Sequence, residues 1–134
     1  MSTLSSEELD HRADLIRRIL AKHVRQNPDC PTITYGKLAR HLKLPTQGHA
    51  LVGSISPLLG RVCERYRRPY FTALVVRANT GTPGQGFFTM IESLEERRIR
   101  NQQTFWEKQR DEAIKRCKRI RLARVSPATK RRTR

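Results

Sequence analysis

A chain of 134 residues with 28 Lys and Arg against 12 Asp and Glu has a formal net charge of +16, and only 37% of its residues are hydrophobic. That length suits one domain of ordinary size and is short for two, and the charge lies far outside the mixed-sign balance of a typical soluble surface, so the expected partner is a polyanion. No run of eighteen apolar residues occurs and the first residues show no leader-like apolar stretch, so neither a membrane span nor an export signal is expected; the anticipated location is the cytoplasm, associated with the nucleoid.

Ser5 to Glu8 has the S-x-x-E form of a capping box, and Leu9, Ala13, Ile16, Leu20 and Val24 then recur at helical spacing. This predicts a helix from about Ser6 to Gln26, with Arg12, Arg17, Arg18, Lys22 and Arg25 outside its apolar stripe. Pro28 and Pro31 end it, and Thr32 or Thr34 is expected to cap a shorter helix, Tyr35 to Leu42. Lys43 to Gly48 has turn chemistry, and His49 to Tyr66 resumes helical spacing through Leu51, Val52, Ile55, Leu58, Leu59 and Val62. Ser56-Pro57 predicts a kink or two abutting helices, because proline inside a helix costs about 3 kcal/mol.

Two helices joined by a tight turn are the makings of a helix-turn-helix. Phe71 to Val76 (FTALVV) reads as a strand, Arg77 to Phe88 (RANTGTPGQGFF) as a glycine-rich turn, and Phe87 to Met90 as a second strand. The expected fold class is therefore α+β: a winged helix-turn-helix with a three-helix core, a two-stranded wing and a long basic C-terminal helix. A phosphate-binding loop would need a lysine after its last glycine and a helix behind it. No lysine follows Gly86, so the stretch reads as a hairpin tip, with Gly81, Gly84 and Gly86 supplying positive φ.

Ser93 to Glu96 (SLEE) has the form of another capping box, and helical character is expected from there to about Arg124, with Ile99, Trp106, Ala113 and Ile120 spaced by sevens. The intervening Gln103, Arg110, Cys117 and Arg124 are mostly polar, which disfavours a long coiled coil. Val125 to Arg134 has the composition of a disordered basic arm. The expected organisation is a winged-helix domain over 1–92, a basic helix over 93–124 and a tail over 125–134.

Chemistry-bearing clusters are sparse. Cys30, Cys63 and Cys117 are an odd, widely spaced set that gives no disulfide framework, and with His11, His23, His41 and His49 they form no zinc-ligand spacing. Asp29, Glu64 and Glu92 stand isolated between the first helix and the last, unlike the clustered carboxylates of a nuclease, and no histidine is placed to activate Cys63. No catalytic residue, metal or cofactor is expected.

The stretch ITYGKLARHLKLP, followed by HALVGSI, resembles the helix-turn-helix of alkylguanine-DNA alkyltransferases and alkyltransferase-like proteins over roughly Ile33 to Gly60. The resemblance implies a DNA-docking scaffold. It places Tyr35 where the family's tyrosine helps rotate a nucleotide out of the duplex, and Ala50 where the family has the arginine that fills the vacated position. The cysteine nucleophile in its Pro-Cys-His-Arg setting is absent, since the chain reads ERYRRPYFTALVV there, so alkyl transfer is not implied. From Ile33 to about Trp106 the chain is also similar to small bacterial and mobile-element proteins with YGxLA, PxxTALVV and TGxPGxGF stretches and a downstream tryptophan, which implies that loop and helices share one domain and that Trp106 packs against it.

The expected function is non-catalytic binding of double-stranded DNA, regulatory or architectural. Tyr35, Lys37 and Arg40 would steady the backbone, while His49, Ser54 and Arg61 of the following helix would approach bases or phosphates in the major groove. Arg77 and Gln85 would meet an adjacent groove. Lys115, Arg116, Lys118, Arg119, Arg121, Arg124, Lys130, Arg131 and Arg132 would add sequence-independent affinity. Taken singly, Lys37, Arg40, His41 and Arg61 read more readily as solvated helix residues; taken with the charge of the whole chain and the helix-turn-helix spacing, the balance reverses. Two other polyanionic partners fit the charge: RNA or the ribosome, and an acidic surface on a host protein met by a mobile-element-encoded interaction protein. The apolar face of the basic helix is too sparse for a membrane-lying helix.

Overall fold

The computed structural model describes residues 4–120. Helix α1 (Ser6–Gln26) opens on the capping box expected of its sequence: the Ser5 hydroxyl accepts from Glu8 N at 3.1 Å and Ser5 N donates to the Glu8 carboxylate at 2.8 Å. Its buried stripe is Ala13, Ile16, Leu20, Ala21 and Val24. Strand β1 (Ile33–Thr34) leads directly into α2 (Tyr35–His41), whose first turn is capped by the Thr34 hydroxyl accepting from Lys37 N. A turn follows, in which Lys43 takes a positive φ of 60°, and α3 (Gly48–Arg65) begins. A buried 3-10 turn (Phe71–Leu74) and strand β2 (Val75–Val76) precede α4 (Gln85–Glu95) and α5 (Gln102–Arg119).

The winged-helix expectation fails at the wing. β2 pairs with β1 in parallel, Ile33 opposite Val75 and Thr34 opposite Val76, with α2 and α3 forming the crossover between them. No antiparallel hairpin is present among the described residues, and the protein is helix-rich with one two-residue parallel pair. The physical reason is visible in FTALVV itself. Every residue from Phe71 to Val76 is buried, so the run has no solvent face to alternate with, and a continuous apolar run suits a parallel pair covered on both sides.

The second half of the expected wing is helix. Phe87, Phe88 and Ile91 are buried while Thr89 is exposed, a one-sided pattern that a short FFTM window mimics as a strand. Ser93 lies inside α4 and caps nothing; the helix ends at Glu96, which takes the left-handed conformation at φ 54°, and Asn101 caps α5 by accepting from Thr104 N at 3.0 Å. The single long helix expected from Ser93 is thus two helices with a break over 96–101. Of the two outcomes expected at Pro57, two abutting helices do not occur: α3 runs through it as one helix. Pro57 and Gly53, four residues before it, are both exposed, so the carbonyl that loses its donor faces water.

α5 belongs to the same body as the rest. Ala113 and Cys117 are fully buried in one core cluster with α1, α2 and α3. Trp106 packs as expected, 5% exposed, in a second cluster with Tyr70, Val76, Phe87, Phe88 and Ile91, and its indole N–H donates to Ala73 O at 2.8 Å. Gln109, also buried, accepts from Tyr70 N at 3.0 Å, so α5 holds the 3-10 turn by two buried hydrogen bonds. The residues expected to form a tail, 125–134, lie outside the described residues.

Candidate nucleic-acid interface and an adjoining cavity

All twelve acidic residues fall outside the stretch Cys30 to Cys63, and that stretch folds into β1, α2, the turn and most of α3. On it Lys37, Arg40, His41, Lys43 and His49 are exposed, and Ser54 is half-buried. Among the described residues no carboxylate pairs with Lys37, Arg40 or Lys43. The N-terminal half of α3 stays open to solvent along Gly48, His49, Ala50, Val52 and Gly53, and Val52 is 59% exposed.

Arg61, the third residue expected to meet DNA from α3, is placed differently. It sits one helix end away, paired with Asp10 and Glu64 at 3.2 Å and donating to the Ser6 hydroxyl at 2.9 Å. Arg65 extends this cluster to Asp14 at 3.0 Å, and the Tyr66 hydroxyl donates to the same carboxylate. Burial raises the Asp14 pKa, but hydrogen bonds from Tyr66 and Arg65 outweigh it and hold the carboxyl below its usual range. Arg17 lies over the Tyr66 ring at 4.4 Å. The α1–α3 seam is therefore a neutralised surface, and the signal for it, Asp10 and Asp14 one helical turn apart on α1, was present in the sequence.

Tyr35 does not stand free on α2. It is half-buried, and its hydroxyl accepts from Gly84 N at 3.0 Å, which joins the start of α2 to the start of α4. Burial raises its pKa, opposed by the Gly84 hydrogen bond and the nearby Arg77 charge. Arg77 and Gln85 are both exposed at the ends of the glycine-rich loop. That loop is closed on itself, with Arg77 N donating to Thr82 O and Gly81 N to Arg77 O, each at 2.9 Å, and Gly81 takes a φ of 72°. Of the three glycines expected to supply positive φ only Gly81 does so: Gly84 has a φ of -72° at the cap of α4 and Gly86 lies inside that helix, so the turn is not a hairpin tip but connects a strand to a helix.

Between α3 and α4 lies an open cavity of about 720 Å³, walled by Leu51, Ile55 and Leu59 on one side and Phe87 and Met90 on the other, with Tyr35 and Arg77 also lining it. Nothing in the sequence signals it, because its walls are ordinary core-type side chains that two helices fail to bring together. Gly60, also in the lining, lies close to the end of the Met90 side chain: a Cβ there would meet Met90 Cε at 2.8 Å, and the flexible thioether would have to yield. Cys63 lies in the cavity floor, 3.2 Å from the Thr72 hydroxyl, and burial pushes its thiol up to about 11.

On α5, Lys115, Arg116, Lys118 and Arg119 are exposed around the inward-facing Cys117. Arg25 of α1 donates to Lys118 O at 3.0 Å and also to Ile120 O, so the basic end of α5 is anchored to the body. Arg121, Arg124, Lys130, Arg131 and Arg132 lie outside the described residues. Among the described residues no cluster of His, Cys, Asp or Glu could hold a metal ion, and no helix is long and apolar enough to cross a membrane. Comparison with family models, with curated proteins and with solved structures finds no match to this chain.

Proposed function

We propose that this protein binds double-stranded DNA without catalysis, as a regulatory or architectural factor associated with the nucleoid, and that α3 is the element it lays in the major groove. The observation that carries the reading is the acid-free α2–α3 face, where the open N-terminal half of α3 is bordered by cations with no carboxylate partner. Lys37, Arg40 and Lys43 supply phosphate contacts, and His49 and Ser54 are the α3 groups nearest to base edges. Arg77 and Gln85 extend the contact from the glycine-rich loop. The likeness of Ile33–Gly60 to the docking motif of alkylguanine-DNA alkyltransferases supports the same face. The thiol of Cys63, kept protonated at neutral pH, supports a reading without a covalent step.

Exposed cations of α5, and those after Ile120, add affinity that is indifferent to sequence. Cys117 is part of the core, so a truncation that spares the fold begins after Ile120 and removes six basic residues, Arg121, Arg124, Lys130, Arg131, Arg132 and Arg134. Fluorescence anisotropy with labelled duplex across a salt series should show the truncated chain binding more weakly to every sequence, with the log–log salt slope reduced by up to about 5. Competition with structured RNA tests the partner: duplex should displace the labelled duplex at lower concentration than RNA does. Preference for RNA, or binding that ignores the truncation, overturns the reading.

A further inference from the structure

The cavity between α3 and α4 combines apolar walls with a polar edge of one character. None of the residues lining it is acidic, and its one charged group is Arg77. Arg77 is exposed, has no ion-pair partner among the described residues, and lies close enough to Tyr35 for its charge to bear on the phenol. The Tyr35 oxygen already accepts from Gly84 N, while among the described residues its own proton has no acceptor. A cation and an O–H donor thus both line the cavity, beside Leu51, Ile55, Leu59, Phe87 and Met90, with Arg77 also bordering the neighbouring cleft at Gln102 and Trp106. The volume, about 720 Å³, falls in the range of small-molecule sites, which pair an apolar lining with a few convergent polar groups.

We propose that this cavity binds a small apolar carboxylate, its hydrocarbon body held between α3 and α4 and its carboxylate on the Arg77 guanidinium and the Tyr35 hydroxyl. Charge complementarity selects the head group. An ammonium would meet Arg77 with like charge, and a neutral alcohol would forgo the charge-assisted hydrogen bond. The site shares Arg77 with the proposed DNA contact, but its test is run without DNA and so stands or falls separately from that reading.

The test is a titration of the isotope-labelled full chain with naphthoate, followed by amide chemical shifts, with naphthylmethanol and naphthylmethylamine as the neutral and cationic comparisons. Naphthoate should shift the amides of Leu51, Leu59, Gly84 and Phe87 and should bind about tenfold more tightly than the alcohol. Arg77→Gln, at an exposed position, should remove most of that preference. Thr89→Trp, which places a large ring on the exposed rim, should abolish binding while the amide spectrum away from the cavity is unchanged. Absence of shifts at about 1 mM naphthoate, amine binding as tight as that of the acid, or an undiminished preference in Arg77→Gln would each overturn the proposal.

Discussion

Two basic surfaces of this protein differ in what their arginines touch. On the α1–α3 seam, Arg61 and Arg65 are held by Asp10, Asp14 and Glu64 at 3.0–3.4 Å. On the α2–α3 face, Lys37, Arg40 and Lys43 are exposed and have no such partner among the described residues. Counting cations along the chain treats the two alike. Pairing separates them: a guanidinium already bonded to a carboxylate must give up that interaction to meet a phosphate, whereas an unpaired lysine gives up only water and counterions. The first surface is tied into the body by its ion pairs, and the second keeps its cations exposed.

The largest effect expected from breaking this contrast is on DNA affinity. Reversing Lys37 and Arg40 together to Glu should weaken duplex binding on the order of 10–100-fold and lower the salt slope by about 2, measured by anisotropy across a salt series. The melting temperature should hardly move, because neither side chain contributes to an ion pair or core contact and such surface changes stay within about 0.5 kcal/mol. An equal loss of stability would mean that α2 needs these charges to fold.

Arg61→Ala should do the reverse. It breaks the links to Asp10, Glu64 and Ser6 and should cost about 1 kcal/mol, seen as a fall of roughly 3–5 °C in the melting temperature. The salt slope of duplex binding should be nearly unchanged. A large fall in slope would place Arg61 on the DNA after all and erase the distinction between the surfaces.

The smallest expected effect is on acid stability. Asp14 and Glu95 both titrate below their ordinary range. For Glu95 burial acts to raise the pKa, but hydrogen bonds from Tyr70, Arg68 and Arg97 outweigh it. Each carboxylate binds its proton less readily in the folded chain than in the unfolded one, so its stabilisation is complete above the unfolded value and is lost as pH falls below about 4. Asp14→Asn should cost about 0.5 kcal/mol at neutral pH, a figure kept small because the side chain is 40% exposed, and the gap to the parent should close toward acid. Urea unfolding at several pH values measures this. A gap that widens toward acid would remove Asp14 from the cohesive cluster.

Local pattern carried the helical elements up to Arg65. The capping box at Ser5, the period of α1 and the span of α2 follow from interactions within four residues of one another, which sequence displays directly, while the cap of α2, open between Thr32 and Thr34 in the sequence, is Thr34 in the structure. The acid-free stretch from Cys30 to Cys63 was equally legible, since charge needs no fold to be counted. After Tyr66 the reading holds for Val75–Val76 as strand, for the burial of Trp106 and for helix over Gln102–Arg119, but Phe71–Leu74 and FFTM are misread as strand because short apolar runs fit two periods when read alone. Tertiary contacts settle them, because β2 finds β1 across the α2–α3 crossover, and Phe87, Phe88 and Ile91 find Tyr70 and Trp106.

Sequence by itself therefore determined that the chain is a polybasic protein of capped helices, with an acid-free stretch that holds two of them and the turn between. Only the tertiary structure decided which cations are spent on carboxylates, that the glycine-rich loop joins a parallel strand to a helix, and that Tyr35 turns toward Gly84 beside an apolar cavity. Ion pairs such as Arg65 to Asp14 join residues 51 positions apart, and the Tyr35 to Gly84 bond spans 49. Such contacts depend on where the helices pack, which no local period records.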